Sequence, residues 1–491
     1  MPITPTLEQA RGVDPARFRV LPLCTELYAD LLTPMAVFLK LKRVSGHCFI
    51  LESAEDSKQW GRYTFLGYDP LMEVTCLNGA MTIKGNTAKS FYTDNPNPHI
   101  QKILDQCRSA KFDGLPPFTG GLAGYFSYDY AKYTEPSLKL DAPDEERFQD
   151  VDLMLFDKVI AFDHYRQKIF LIVNIKTENV EQEYEKGIKQ LGKMQALIQT
   201  GIPAQPVPPR LKSPFRALFT EEEYCRMADK AKAHIREGDI FQAVLSNRLE
   251  ADFEGSLLDT YRVLRTINPS PYMFYFSGSD LEIAGASPET LVKLQDGRLF
   301  TYPLAGTRPR GATPKEDAAL ERGLLADEKE LSEHNMLVDL GRNDLGKISR
   351  FGTVTVDNYM SVLRFSHVMH LGSTVSGLIQ EGKTGLDAVN AVLPAGTLSG
   401  APKIRAMQVI HELEQNKRGI YGGAVGYLDL TGNMDTCIAI RIAYRRGGKV
   451  FIRSGAGIVA DSDPASEYRE CLNKSMAVRT ALEQSAGGIE P

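Results

Sequence analysis

The chain has 491 residues, 43% of them hydrophobic and 24% charged, with a net charge of −5. This is ordinary globular composition, long enough for roughly three average domains, and its acidic balance argues against nucleic acid or an anionic membrane surface as partner. Seven scattered cysteines without a C-x-x-C pair argue against a zinc site or a disulfide framework and for a reducing compartment. No run approaches the ~20 apolar residues of a membrane helix. The opening Met-Pro-Ile-Thr-Pro-Thr lacks the basic and apolar regions of a signal peptide. The expectation is a soluble, cytoplasmic protein.

Residues 1–200 read as one α/β region. A strand is predicted at 49–54, the stretch 60–67 with the only Trp follows it, and a hairpin over 74–83 turns at Asn78-Gly79. Residues 120–128, rich in glycine and aromatics, lack the G-K-[ST] ending of a phosphate loop and are expected to be a buried strand. Consecutive strands over 151–162 and 168–175 precede a helix over 178–199, with Val180, Tyr184, Ile188, Leu191 and Leu197 along one side. Residues 201–214 carry five prolines and make an extended linker. The second half, 215–485, opens with a helix capped by Thr220 and Glu223. A strand over 239–253, a helix over 257–267 and further strands at 272–276, 281–286, 299–303 and 353–356 follow. The stretches 424–430, 437–444 and 449–453 read as antiparallel neighbours.

Two helices stand out chemically. In residues 329–344, Glu330 and Glu333 lie three apart, on one helical face. In residues 463–474, Asp463 is a good N-cap, Pro464 suits the first helical position, and Glu467 and Glu470 repeat the spacing. One such pair is ordinarily a solvated acidic face. Two, far apart in sequence, suit closure on one hard divalent cation, and Mg²⁺ keeps water positions open for an anionic substrate.

Other polar groups interrupt apolar stretches. Arg441, in Cys-Ile-Ala-Ile-Arg-Ile-Ala-Tyr, needs an anion: a buried ion-pair partner or a substrate carboxylate. His367 and His370 point to opposite faces of a regular strand, and either is a hydrogen-bonded core residue or a proton carrier. Glycine-rich turns at 303–308, 420–426 and 453–457, with Arg441 and Lys403, suggest an anion-binding cavity beside the metal, sized for a small dicarboxylate.

These stretches resemble the chorismate-utilising enzymes, and within them the anthranilate synthase component I branch. Ala286-Ser-Pro-Glu-Thr, Pro303-Leu-Ala-Gly-Thr-Arg, Glu333-His-Asn-Met-Leu-Val-Asp-Leu-Gly-Arg-Asn-Asp, Gly396-Thr-Leu-Ser-Gly-Ala-Pro-Lys and Arg453-Ser-Gly-Ala-Gly-Ile-Val stand in the family's order. The resemblance covers nearly the whole chain and implies an α+β fold of two large, mostly antiparallel sheets packed face to face, with helices outside. It implies Glu333 and Glu470 as Mg²⁺ ligands, supported by Glu330 and Glu467. Arg441, Tyr421, Gly306, Thr307, Gly455, Ala456 and Gly457 match substrate contacts, and His370 matches a histidine of the elimination step. The implied reaction adds ammonia at C2 of chorismate and then eliminates pyruvate to give anthranilate, committing material to tryptophan.

Ala305 stands where aminodeoxychorismate synthases carry a nucleophilic Lys, and Gln242 where salicylate and isochorismate synthases carry a Lys that activates water. Both departures favour ammonia as nucleophile. The alternatives are an aminodeoxychorismate synthase component or a catalytically silent subunit that only binds tryptophan. Ile50-Leu-Glu-Ser-Ala resembles the family's feedback site for L-tryptophan, placing Glu52 and Ser53 in it. Pro271, Tyr272 and Met273 match a second wall, and Val425 and Tyr427 complete it. Nothing after Ala481 resembles a glutamine amidotransferase, so the resemblance implies a separate glutaminase subunit supplying ammonia, in a heterotetramer.

Overall fold

The computed structural model describes residues 2–53, 61–364 and 368–489, and at Thr307 and Val368 the backbone alone. Ala54, Trp60 and His367 lie outside the described residues. The architecture is two large antiparallel sheets packed face to face, of 14 and 12 strands among the described residues. Each sheet draws strands from both halves of the chain. The first pairs Cys48–Glu52 with Tyr272–Ser277, and the second pairs Gly121–Phe126 with Ala424–Asp429. The core between them is aromatic: Phe49, Phe65, Phe274 and Tyr444 from the first sheet meet Tyr125, Met154 and Tyr427 from the second. No described helix is long and apolar enough to cross a membrane.

Local signals behave as their chemistry dictates. Asn78 and Gly79 both take positive φ, 49° and 82°, and join Met72–Leu77 to Ala80–Lys84. Gly121–Phe126 is buried throughout. A Cβ on Gly121 or Gly124 would lie 2.1 Å from the neighbouring strand's carbonyl oxygen, so only glycine permits this sheet spacing. Thr220 and Glu223 form the reciprocal cap of helix Glu221–Arg236, and Asp463 caps Pro464–Ser485. Helix Val180–Thr200 buries Tyr184, Gly187, Leu191, Met194 and Ile198, whereas Ile188 is 41% exposed. The burial stripe includes Gly187, where Leu23 and Ile175 press so close that a Cβ would clash. The proline-rich segment lies on the body, its backbone bonded to Leu39, Ser256 and Gly487.

The decisive feature is a pair of crossings between the sheets. Strand Glu282–Ser287 belongs to the first sheet and Thr290–Gln295 to the second. Strand Met434–Ile438 belongs to the second and Ile442–Arg446 to the first. Glu282–Ser287 pairs with Ile442–Arg446, and Thr290–Gln295 with Met434–Ile438, so the two segments cross together. Glu289 lies in one crossing and Arg441 in the other. Their backbones bond across it: Ile438 N donates to the Glu289 carbonyl, and Ala286 N to that of Arg441. The single strand expected over 437–444 is therefore two strands in different sheets. Its apolar run concealed the break because both halves are buried, and the break needs a left-handed backbone, φ 52° at Arg441.

Candidate active site

The crossing opens into a cavity of about 820 Å³ lined by both sheets and by the two acidic helices. Of the residues singled out from the sequence, Glu333, Glu467, Glu470, Tyr421, Arg441, Gly455 and Gly457 line it. Arg441 is held by burial below the usual guanidinium range, with Glu289 as its counter-charge, and no described side chain hydrogen-bonds it. A buried guanidinium in that state is prepared for an anion. The stretch 453–457 is not a turn but part of strand Lys449–Ile458, paired with Gln242–Glu254. Its glycines make room: a Cβ on Gly455 would lie 2.8 Å from the Tyr421 hydroxyl, and one on Gly457 would lie 2.7 Å from Gln242 Nε2.

The acidic helices bring three carboxylates, Glu333, Glu467 and Glu470, to the lining of this cavity. Burial and then the neighbouring Glu330 hold the Glu333 carboxyl above the usual range. Burial also raises Glu467, whose Oε1 accepts from Ser462 at 2.8 Å. Glu470 pairs with Lys474 at 2.8 Å, and Lys474 also reaches the Gly455 carbonyl at 3.2 Å. Like charges gathered in partial burial favour a cation. No three of these carboxylates bring oxygens within 4.8 Å of one another, however, and the described cluster that does, His234, Glu237 and Asp239, lies elsewhere, with Asp239 paired to Arg405.

A second cluster adjoins the first. Glu330 does not share the cavity with Glu333, because residues three apart diverge by about 60° around a helix. It turns to Arg308, at 3.2 Å, and lies against Gly306. Gly306 takes φ 64° at a bulge in strand Leu304–Pro309. His370, on the paired strand Val368–Leu378, donates from Nδ1 to the Gly306 carbonyl at 2.9 Å. A carbonyl only accepts, so the neutral ring carries its lone pair on Nε2, and burial keeps it neutral. Gly306, His370, Glu330 and Ala456 stand off the cavity lining; the Thr307 side chain is not described.

Lys403 does not reach the cavity. Its Nζ lies 2.8 Å from both Asp344 oxygens and from the Val392 carbonyl, a buried ion pair tying two helices. Lys403→Met would leave Asp344 buried beside only the more exposed Lys347. Urea unfolding should register a loss of about 3 kcal/mol.

A separate cavity of about 500 Å³ lies between the sheets nearer the N-terminal strands. Glu52, Ser53, Pro271, Tyr272, Met273, Val425 and Tyr427 all line it. Tyr272 donates to Asp435 at 2.9 Å, and Arg265 Nη2 holds Glu52 at 3.0 Å.

The family model of the chorismate-binding enzymes matches residues 47–480. The chain belongs to the chorismate-binding enzyme family. Anthranilate synthase component 1 of Acetivibrio thermocellus is 43% identical over 490 residues, 98% of this chain and 99% of the relative. That of Aquifex aeolicus is 43% identical over 488 residues, 97% of each chain. The crystal structure of anthranilate synthase component I from Streptococcus pneumoniae superposes with a TM-score of 0.76 at 37% identity, covering 85% of this chain and 92% of the other.

Within this family site, sequence reasoning passed over Glu289. It lines the cavity, and burial raises its carboxyl to about 7, against the opposing pull of the Thr397 hydroxyl, Arg441 and Lys474. A carboxyl in that state is a proton donor near neutrality. The signal was present in Ala286-Ser-Pro-Glu289-Thr, where an acid follows proline at the end of an apolar strand. Lys329, Lys474 and Thr397 also line the cavity and were missed, because on exposed-looking helices and turns such residues have no distinguishing pattern.

Proposed function

We propose that the protein is the large subunit of an anthranilate synthase, converting chorismate and ammonia to anthranilate, pyruvate and water. The observation that carries the reading is the convergence of Arg441, Tyr421 and Glu289 on one cavity with Glu333, Glu467 and Glu470. Gln242 lines the same cavity, and an amide cannot activate water as a lysine base does. Ala305 offers no nucleophile, so ammonia itself attacks.

Arg441 grips a substrate carboxylate through its planar fork, and the Tyr421 hydroxyl lies beside Gly455 to meet it. Glu289, in its protonated form, protonates the departing 4-hydroxyl, which leaves as water while ammonia adds at C2. The C2 proton is then lost toward His370, the histidine that the family resemblance assigns to this step. The bond to the enolpyruvyl oxygen breaks, the ring becomes aromatic, and the enol gains a proton as pyruvate. Glu333 and Glu470 would hold Mg²⁺, which when bound supplies charge neutralisation for the ring carboxylate and the leaving hydroxyl. The raised carboxyl of Glu333 and the crowding of acids, with Lys329 and Lys474 facing them, fit a divalent cation.

The second cavity takes L-tryptophan as feedback inhibitor. Its aromatic and apolar walls suit an indole, and Glu52 and Ser53 in its lining suit the amino-acid head. A glutamine amidotransferase subunit supplies ammonia, in a heterotetramer; the component 1 names of the relatives support a partner component.

The test mixes the purified chain with chorismate, ammonium and Mg²⁺ at mildly alkaline pH and follows anthranilate fluorescence. Turnover is expected, lost with EDTA, restored by Mg²⁺ and suppressed by tryptophan. Glu470→Gln should raise the Mg²⁺ needed for half-maximal rate about 10-fold or more. Chorismate consumed to a non-aromatic amine would establish the aminodeoxychorismate reaction instead. Tryptophan binding without consumption, even with the glutaminase present, would establish a silent regulatory subunit.

A further inference from the structure

Behind the cavity wall lies an ionic cluster that the reaction above does not use. Glu414, Arg418 and Arg453 are each about 1% exposed or less. Arg418 makes four hydrogen bonds: Nε and Nη2 to Glu414 at 2.9 and 2.6 Å, Nη1 to the Leu398 carbonyl at 2.6 Å, and Nη2 to the Val244 carbonyl at 2.6 Å. Its guanidinium stacks 4.6 Å over the Tyr128 ring. Glu414 is itself fixed by the backbone and hydroxyl of Ser246, at 2.7 and 3.0 Å, and by Arg453 at 3.2 Å. This is far more than a core ion pair needs, and two of its acceptors, Val244 and Leu398, belong to residues of the cavity wall.

Leu398 ends the short turn Gly396–Leu398, and the residue before it, Thr397, donates its hydroxyl to Glu289 Oε1 at 3.0 Å. A continuous run of contacts thus leads from Glu414 through Arg418 and the Leu398 carbonyl to the carboxyl of Glu289. We infer that Arg418 is a positioning residue: it fixes the 396–398 turn so that the Thr397 hydroxyl stays on Glu289 and sets that acid's strength. The inference rests on the anthranilate synthase reading, in which Glu289 donates the proton.

The direction of the effect follows from hydrogen-bond chemistry. A hydroxyl donating to a carboxylate favours the charged form, so losing it makes Glu289 a weaker acid. The charged groups facing Glu289, Arg441 and Lys474, remain in place. The experiment measures kcat/KM for chorismate against pH at saturating free ammonia for wild type, Thr397→Val, Arg418→Lys and the double variant. Lysine keeps the charge but cannot span Glu414 and both carbonyls. Thr397→Val should move the alkaline limb up by about one pH unit. Arg418→Lys should move it the same way, and the double variant no further, because both act through one bond. Glu414→Gln, which slackens the same guanidinium, is a second route to that shift.

An Arg418→Lys or Glu414→Gln enzyme that folds, turns over more slowly and keeps the wild-type limb would overturn the inference, since a purely structural role scales activity alike at every pH. Additive shifts in the double variant would overturn it too. If neither variant folds, Arg418 is a core residue only and the inference fails. Wild-type enzyme that makes no anthranilate is a different result: it defeats the underlying functional reading.

Discussion

Glu289→Gln is expected to lower kcat for anthranilate formation about 10³-fold, the loss typical of a removed general acid. The amide keeps the size and the Thr397 contact, and it cannot release a proton to the departing hydroxyl. Fit and charge in the resting site change little, because the wild-type carboxyl, raised to about 7 by burial, is largely neutral at slightly acid pH. KM for chorismate should therefore hold. The pH dependence makes the result specific. The acid acts when protonated, so wild-type activity should fall as pH rises through about 7 at constant free ammonia, and the residual activity of the variant should lack that fall. Steady-state rates by fluorescence across pH check both. A variant retaining a tenth or more of wild-type kcat would remove Glu289 from the chemistry.

Arg441→Lys is the second large expected effect: kcat/KM for chorismate should drop about 10²-fold, from losing charge-assisted hydrogen bonds worth about 3 kcal/mol. Arg441 is buried beside the Glu289 carboxyl, and no described side chain hydrogen-bonds it. Its desolvation is offset only when an anion arrives. A lysine brings the charge but offers one point of contact where a carboxylate presents two oxygens. The loss should fall mainly on KM, in contrast to Glu289→Gln. Normal thermal unfolding of the variant would confirm that the defect lies in the site. An unchanged KM would show that the carboxylate is held elsewhere.

The two substitutions probe features of unequal visibility in the sequence. Caps and turns were legible because their chemistry is local: Asp463, the Thr220 and Glu223 pair, and Asn78-Gly79 act within three or four residues of themselves. The seven residues assigned to an effector site come from three distant stretches, yet all line one cavity; there the family resemblance supplied what local pattern lacks. Lys403 was misplaced, since a cation beside glycine-rich turns reads alike whether it faces a cavity or a buried Asp344. Glu330 and Glu333 share a helical face in sequence, but the angle of about 60° between them suffices to send one to Arg308 and the other to the cavity.

The sequence by itself determined many of the strands and some of the helices to within a few residues, the family, and part of the polar lining of the cavity. Only the tertiary structure decided where the chain leaves one sheet for the other. An apolar run buried in two sheets looks identical to one buried in a single sheet, because burial and not sheet membership selects its residues. The crossings at Glu289 and Arg441 exist because strands 282–287 and 290–295 pair with 442–446 and 434–438 on opposite sides of the core. That long-range pairing takes two polar residues out of the ladders and sets an acid and a guanidinium side by side in a cavity.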